Sequence, residues 1–139
     1  MTATIFVDTN ILIYAHDIEA GPRHKKALEL VRGLWEKGGG VISVQVLQEF
    51  YVNITRKVPA PLPRPLARSL VETYACWPLV TPDPADLLKA SEIEERYRLS
   101  FWDAMIVAAA VKARAATLWT EDLSHESLIE GIRVVNPLY

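Results

Sequence analysis

Short β-rich apolar runs alternate with longer segments of helical character along this chain, and that alternation limits the folds open to it. Thr4–Val7, Val41–Ile42, Leu79–Val80, Thr117–Trp119 and Ile132–Val135 read as strands. Between them, apolar residues recur at helical spacing. A helical run begins near Ile11, after the polar turn Asp8-Thr9-Asn10. Pro22 suits the first position of the next helix, whose apolar face (Ala27, Leu28, Val31, Leu34, Trp35) ends at Gly38-Gly39-Gly40. Ser43 is a cap candidate for a helix carrying Val46, Leu47, Phe50 and Ile54. The segment from Pro59 to Pro65 reads as a loop, because proline lacks the N–H and clashes with the preceding turn. Further helices are expected from Leu66 to about Cys76, from Pro84 (capped by Asp83) to Tyr97, and from Phe101 to Ala115 after Ser100. Such alternation builds βα units, hence an α/β fold with a mainly parallel sheet and helices on both faces. Ligands of these sheets gather outside the carboxyl ends of the strands.

The 139 residues suit one domain spanning 1–139, since neither flank of the proline segment is large enough to fold alone. Half the residues are hydrophobic and 23% are charged, an ordinary globular balance. No internal repeat or low-complexity tract is visible. The longest apolar run, Met105–Val111, is far too short to span a bilayer. Met1–Phe6 lacks a charged stretch followed by a long apolar one, so no signal peptide is expected. A single cysteine, Cys76, rules out an internal disulfide and a thiolate zinc cluster. The expected compartment is the cytoplasm. With a net charge of −2, the chain would have to meet an anionic substrate through a local basic patch or metal ions.

Against that frame, four carboxylates stand out. Asp8 closes the first strand and Asp122 follows the strand around Leu118, so both belong at the carboxyl edge of the sheet. Each also suits a plainer role as a turn or helix-cap residue. Glu49 and Asp103 lie near the starts of apolar helices. Asp103 can simply complement a helix dipole, yet no Lys or Arg lies between Ser100 and Val111 to pair with it. A carboxylate at the mouth of a buried helix needs a partner or a cation. Several carboxylates at one strand edge repel unless a cation neutralises them. Mg²⁺ or Mn²⁺, hard ions that prefer oxygen ligands, would suit them and would support hydrolysis of a phosphodiester.

Several stretches in this order resemble the PIN-domain ribonucleases, including VapC-type toxins of toxin–antitoxin pairs. They are Phe6-Val7-Asp8-Thr9-Asn10-Ile11-Leu12, Gln48-Glu49-Phe50 and Ser100-Phe101-Trp102-Asp103-Ala104-Met105-Ile106. Leu118-Trp119-Thr120-Glu121-Asp122-Leu123 and Gly131-Ile132-Arg133-Val134-Val135-Asn136-Pro137 complete the series, so the resemblance covers nearly the whole chain. It implies a three-layer α/β/α sandwich, one or two divalent ions, and metal-dependent endoribonuclease activity. Asp8, Glu49 and Asp103 would be the core metal ligands and Asp122 the fourth acid. Thr9 would orient Asp8 or a water through its hydroxyl. Ser100 would stand before the third acid, a place equally suited to capping that helix. Glu121 competes with Asp122, since neighbours along an extended segment point to opposite sides. A small antitoxin protein and a homodimer are the implied partners, with the exposed apolar faces of the early helices as candidate interfaces.

Arg23, Lys25, Lys26, Arg56, Lys57, Arg64 and Arg68 are candidates for holding RNA phosphates, although each also suits a solvated face. Tyr14 and Trp102 are aromatic enough to stack on bases, but core packing is the expected role of both. His16, His24 and His125 are expected at the surface or at helix ends. Two rival functions are a non-catalytic PIN-like module binding RNA or protein, and a housekeeping RNA-processing nuclease. A phosphoacceptor signalling domain is disfavoured, as its acidic pair and partner lysine are not apparent.

Overall fold

A computed structural model describes residues 3–139, so Met1 and Thr2 of the opening stretch lie outside the described residues. Strand β1 (Ile5–Val7) leads into α1 (Thr9–His16) and α2 (Pro22–Lys37). Then follow β2 (Gly40–Ser43), α3 (Val44–Val52), α4 (Arg64–Tyr74) and β3 (Leu79–Val80). The chain continues through α5 (Pro84–Tyr97), α6 (Phe101–Lys112), β4 (Thr117–Trp119), β5 (Leu128–Ile129) and β6 (Ile132–Val135). Every expected strand and helix has a counterpart.

The differences have local causes. Helix α4 starts at Arg64 rather than Leu66, because Pro65 falls in its first turn, where a missing N–H costs nothing. Helix α6 stops at Lys112, and Arg114 turns the chain with φ 56°. A π-helical turn, Asn53–Lys57, prolongs α3 and buries Ile54. The unexpected strand β5 forms an antiparallel hairpin with β6, Ile129 opposite Ile132. Its two-residue turn, Glu130-Gly131, has φ of 51° and 79°, the left-handed pair that suits strand twist.

The sheet runs β3-β2-β1-β4-β6-β5, parallel except for the last pair. From β1 the chain steps outward to β2 and β3, then crosses back to β4 on the other side of β1. Right-handed crossovers in opposite directions put α1–α2 and α5–α6 on opposite faces, giving the α/β/α sandwich. The order therefore reverses between β1 and β4, where a crevice opens at the carboxyl ends. Behind it, Phe6, Val7, Leu118 and Val134 from the central strands are buried. Helix α6 is buried continuously from Ala104 to Ala110, so it is covered on all sides and its first turn is firmly placed. No helix among the described residues is long and apolar enough to cross a membrane.

Candidate active site

The crevice is built by register. Strands β1 and β4 pair with Val7 opposite Trp119, so the next residues outward, Asp8 and Thr120, stand side by side. Thr120 donates its hydroxyl to Asp8 Oδ2 at 2.7 Å, and the Thr9 N–H donates to Asp8 Oδ1 at 2.7 Å. Asp8 thus does cap α1, and both its oxygens are engaged. It is also only 5% exposed. Burial pushes its carboxyl up to about 7; the two hydrogen bonds pull against this, while the charges of Asp122 and Glu49 add to it.

Glu49 sits in the second turn of α3 and accepts the Thr9 hydroxyl at 2.7 Å. The Thr9 hydroxyl therefore orients Glu49, while Thr120 holds the place expected of it beside Asp8. Asp103 is the third residue of α6, and its N–H donates to Ser100 Oγ at 3.1 Å. Ser100 is the cap that aims the first turn of α6. Asp122 accepts from Asn10 Nδ2 at 2.9 Å, and its own N–H donates to Thr120 Oγ at 3.0 Å. One threonine hydroxyl thereby links the segments carrying Asp8 and Asp122. Burial raises the Asp122 carboxyl, and the charges of Asp103, Glu121 and Glu49 raise it further.

Asp8, Glu49, Asp103 and Asp122 line one cavity of about 180 Å³, together with Thr9, Asn10, Gln45, Asn53 and Trp102. No cationic side chain among the described residues lines it. Among the described residues, none of the four acids forms an ion pair. Glu121 points elsewhere: Tyr14 donates its hydroxyl to it and Arg23 lies 3.8 Å away. Tyr14 is half-buried, and burial followed by the Glu121 contact pushes its phenol up to about 12, so it stays a donor.

The donors suit a hard cation. They are oxygens throughout, and Asn10 Oδ1 is buried without a hydrogen-bond partner among the described residues. As they stand, no three His, Cys, Asp or Glu side chains among the described residues are gathered closely enough to hold an ion. Mutual repulsion of like charges favours that spacing.

The other sequence candidates separate cleanly. Trp102 is 63% exposed at the cavity's edge, contrary to the core role expected of it. None of the seven basic candidates lines the cavity. Lys26 donates to the Tyr139 carbonyl, and Arg68 lines a groove between α3 and α4. His16 ends α1 in contact with the Tyr74 hydroxyl at 2.7 Å, its pKa lowered by burial and then by His24. His24 bonds the Tyr14 carbonyl, and His125 stacks on Tyr139. The reading of the sequence missed Thr120 and Asn10. Thr120 was detectable as the residue just past β4, at the same carboxyl edge of the sheet as Asp8.

Residues 5–128, nearly the whole of this framework, match the PIN domain. The chain belongs to the PIN domain family. Among solved structures, it is similar to the VapC20 toxin of Mycobacterium tuberculosis, described as cleaving the sarcin–ricin loop. That match has 20% identity and a TM-score of 0.68, covering 94% of this chain and 99% of the other. A toxin–antitoxin complex from Klebsiella pneumoniae gives 21% identity and a TM-score of 0.70 over 97% and 98% of the two chains. The DNA-bound VapBC of Salmonella typhimurium gives 19% and 0.64 over 96% and 97%. Among curated proteins, none matches.

In this PIN domain, Thr120 offers a sharp test. Thr120→Val keeps the side chain's shape but removes the hydroxyl that lowers the Asp8 pKa and receives the Asp122 N–H. The Asp8 carboxyl is expected to rise further above 7, which carboxylate NMR across pH would read. An unchanged Asp8 titration would show that the hydroxyl does not tune it.

Proposed function

We propose that this PIN domain is a divalent-metal-dependent endoribonuclease, the toxin of a type II toxin–antitoxin pair acting in the cytoplasm. One observation carries the reading: the fold delivers four carboxylates, from two strand ends and two helices, into one cavity without a cationic side chain. Asp8, Glu49, Asp103 and Asp122 would hold Mg²⁺ or Mn²⁺. When bound, the ion supplies charge for a phosphodiester and acidity for a water. The chain's own part is placement. Thr9 fixes Glu49, Thr120 fixes Asp8, Asn10 fixes Asp122 and Ser100 fixes the turn bearing Asp103. Hydrolysis joins the water oxygen to phosphorus and breaks the bond from phosphorus to the leaving ribose oxygen.

The likeness to toxin–antitoxin complexes of known structure supports the pairing with a small antitoxin, and a homodimer is part of the same proposal. The groove between α3 and α4, about 490 Å³ and lined by Val44, Leu47, Tyr51 and Val71 beside Arg68 and Glu72, has the apolar character a bound peptide needs.

The test is cleavage of RNA oligonucleotides with Mg²⁺ or Mn²⁺. Cutting should stop with chelator, return with excess ion, and fall at least about 100-fold in Asp103→Asn, beyond the loss typical of a mere orienting residue. Equal cutting by that variant would sink the assignment. RNA binding with no cutting under any ion would leave a binding module instead.

A further inference from the structure

The rim of the acid cavity carries one large exposed aromatic side chain. Trp102 immediately precedes Asp103 in the first turn of α6 and lines the cavity with it, yet is 63% exposed. Other large apolar side chains are exposed, including Ile18, Leu88 and Leu128, but none of those lines this cavity. The indole is not loosely attached. Phe101 meets it edge-on with centroids 5.2 Å apart, and Gln45 donates to the Trp102 carbonyl at 3.2 Å. A braced aromatic surface therefore stands open to solvent beside the carboxylates.

The charge of the cavity says what such a surface is for. Among the described residues no Lys or Arg lines it, so these walls offer an RNA strand no cationic side chain. Attraction independent of charge must come from elsewhere, and every base has a π-face that an indole can stack on. We propose that Trp102 is a stacking platform for an unpaired base next to the cleaved phosphate. This rests on the ribonuclease reading. A duplex keeps its bases stacked on one another, so only an unpaired nucleotide can reach the ring.

The experiment uses a single-stranded RNA oligonucleotide that the wild type cuts, with one abasic nucleotide moved through the positions flanking the cut. Trp102→Ala should raise KM by about 5–150-fold, the range typical of losing one base–aromatic contact, with kcat little changed. Trp102→Phe should recover part of the loss. One abasic position should weaken the wild type by a similar factor and cost Trp102→Ala nothing more, the non-additivity that marks a direct contact. The wild-type abasic series stands even if a variant folds poorly. Trp102→Ala cutting intact RNA like the wild type, or no position sensitive to base removal, would overturn the proposal while leaving the ribonuclease reading in place. So would a Trp102→Ala variant that cuts normally but loses a protein partner. If the wild type cuts no RNA with either ion, both readings fall together.

Discussion

Replacing Asp8 with asparagine is expected to move activity and stability in opposite directions. The folded chain holds the Asp8 carboxyl at about 7 against an ordinary 3.8, chiefly through burial. Between those values, the folded protein keeps a proton that the unfolded chain has released. Without a divalent ion, this group's contribution is therefore best at low pH and is lost as pH climbs through about 7. Above that, the fold bears the full cost of a buried anion, about 1.4 kcal/mol for each unit of the rise. An asparagine there is neutral. It can still accept from the Thr9 N–H, and its amide can donate to the Thr120 hydroxyl. In chelator at pH 8, Asp8→Asn should therefore melt several degrees above the wild type, and the gap should close as pH is lowered towards 5.

With the ion present, the order reverses. An ion at about 100 times its dissociation constant stabilises the folded wild type by about 2.7 kcal/mol, and a variant short of one anionic ligand should gain much less. Cleavage should drop by at least about 100-fold. Calorimetry at pH 5 and pH 8, with chelator and with Mn²⁺, checks every part of this. A wild type whose chelated stability does not fall between those pH values would contradict the buried, raised carboxyl. A variant that retains the full Mn²⁺ shift would remove Asp8 from the ligands.

The same residue shows how far the sequence could be read. The alternation of strands and helices was enough to place Asp8 and Asp122 at the carboxyl edge, because a parallel sheet leaves little choice about which strand ends point the same way. The sequence could not show that Asp8 is both a cap and a member of the cavity, since these looked like competing roles and the geometry satisfies both. Thr120 and Asn10 escaped notice because their importance arises across the reversal in strand order. Each bonds a residue 112 positions away. Trp102 was misjudged for a related reason. Its apolar character and its place in a buried helix suggested the core, but burial in α6 starts only at Ala104, after the chain has entered from the surface. Strand β5 is two residues long with Leu128 exposed, too short to show any alternation. Glu121 is set apart from Asp122 by contacts with Tyr14 and Arg23, side chains far from both in sequence.

Phe50→Ala should cause the largest loss of stability, and it should reach the site as well. Phe50 is fully buried one residue after Glu49, edge-on to His16 at 5.6 Å and to Tyr74 at 5.5 Å. It therefore locks α3 against the end of α1 and against α4. Truncating such a ring costs about 3–5 kcal/mol through lost burial and the cavity left behind, a large share of the roughly 5–15 kcal/mol that holds a domain together. At about 3 °C per kcal/mol for a chain of this size, the melting temperature should fall by about 10 °C or more. Urea unfolding should show a lower midpoint with an unchanged slope, and Phe50→Leu should lose less. The link to function runs through α1. Its last residue, His16, packs on Phe50, and its first, Thr9, donates the hydroxyl that holds Glu49. Loosening one end of that helix should disturb the other. Cleavage by Phe50→Ala, measured well below its melting temperature and corrected for the folded fraction, should fall below that of the wild type while Phe50→Leu stays close to it. If folded Phe50→Ala cuts as well as the wild type, the aromatic contact only stabilises the fold, and Glu49 is positioned by Thr9 without help from the core behind it.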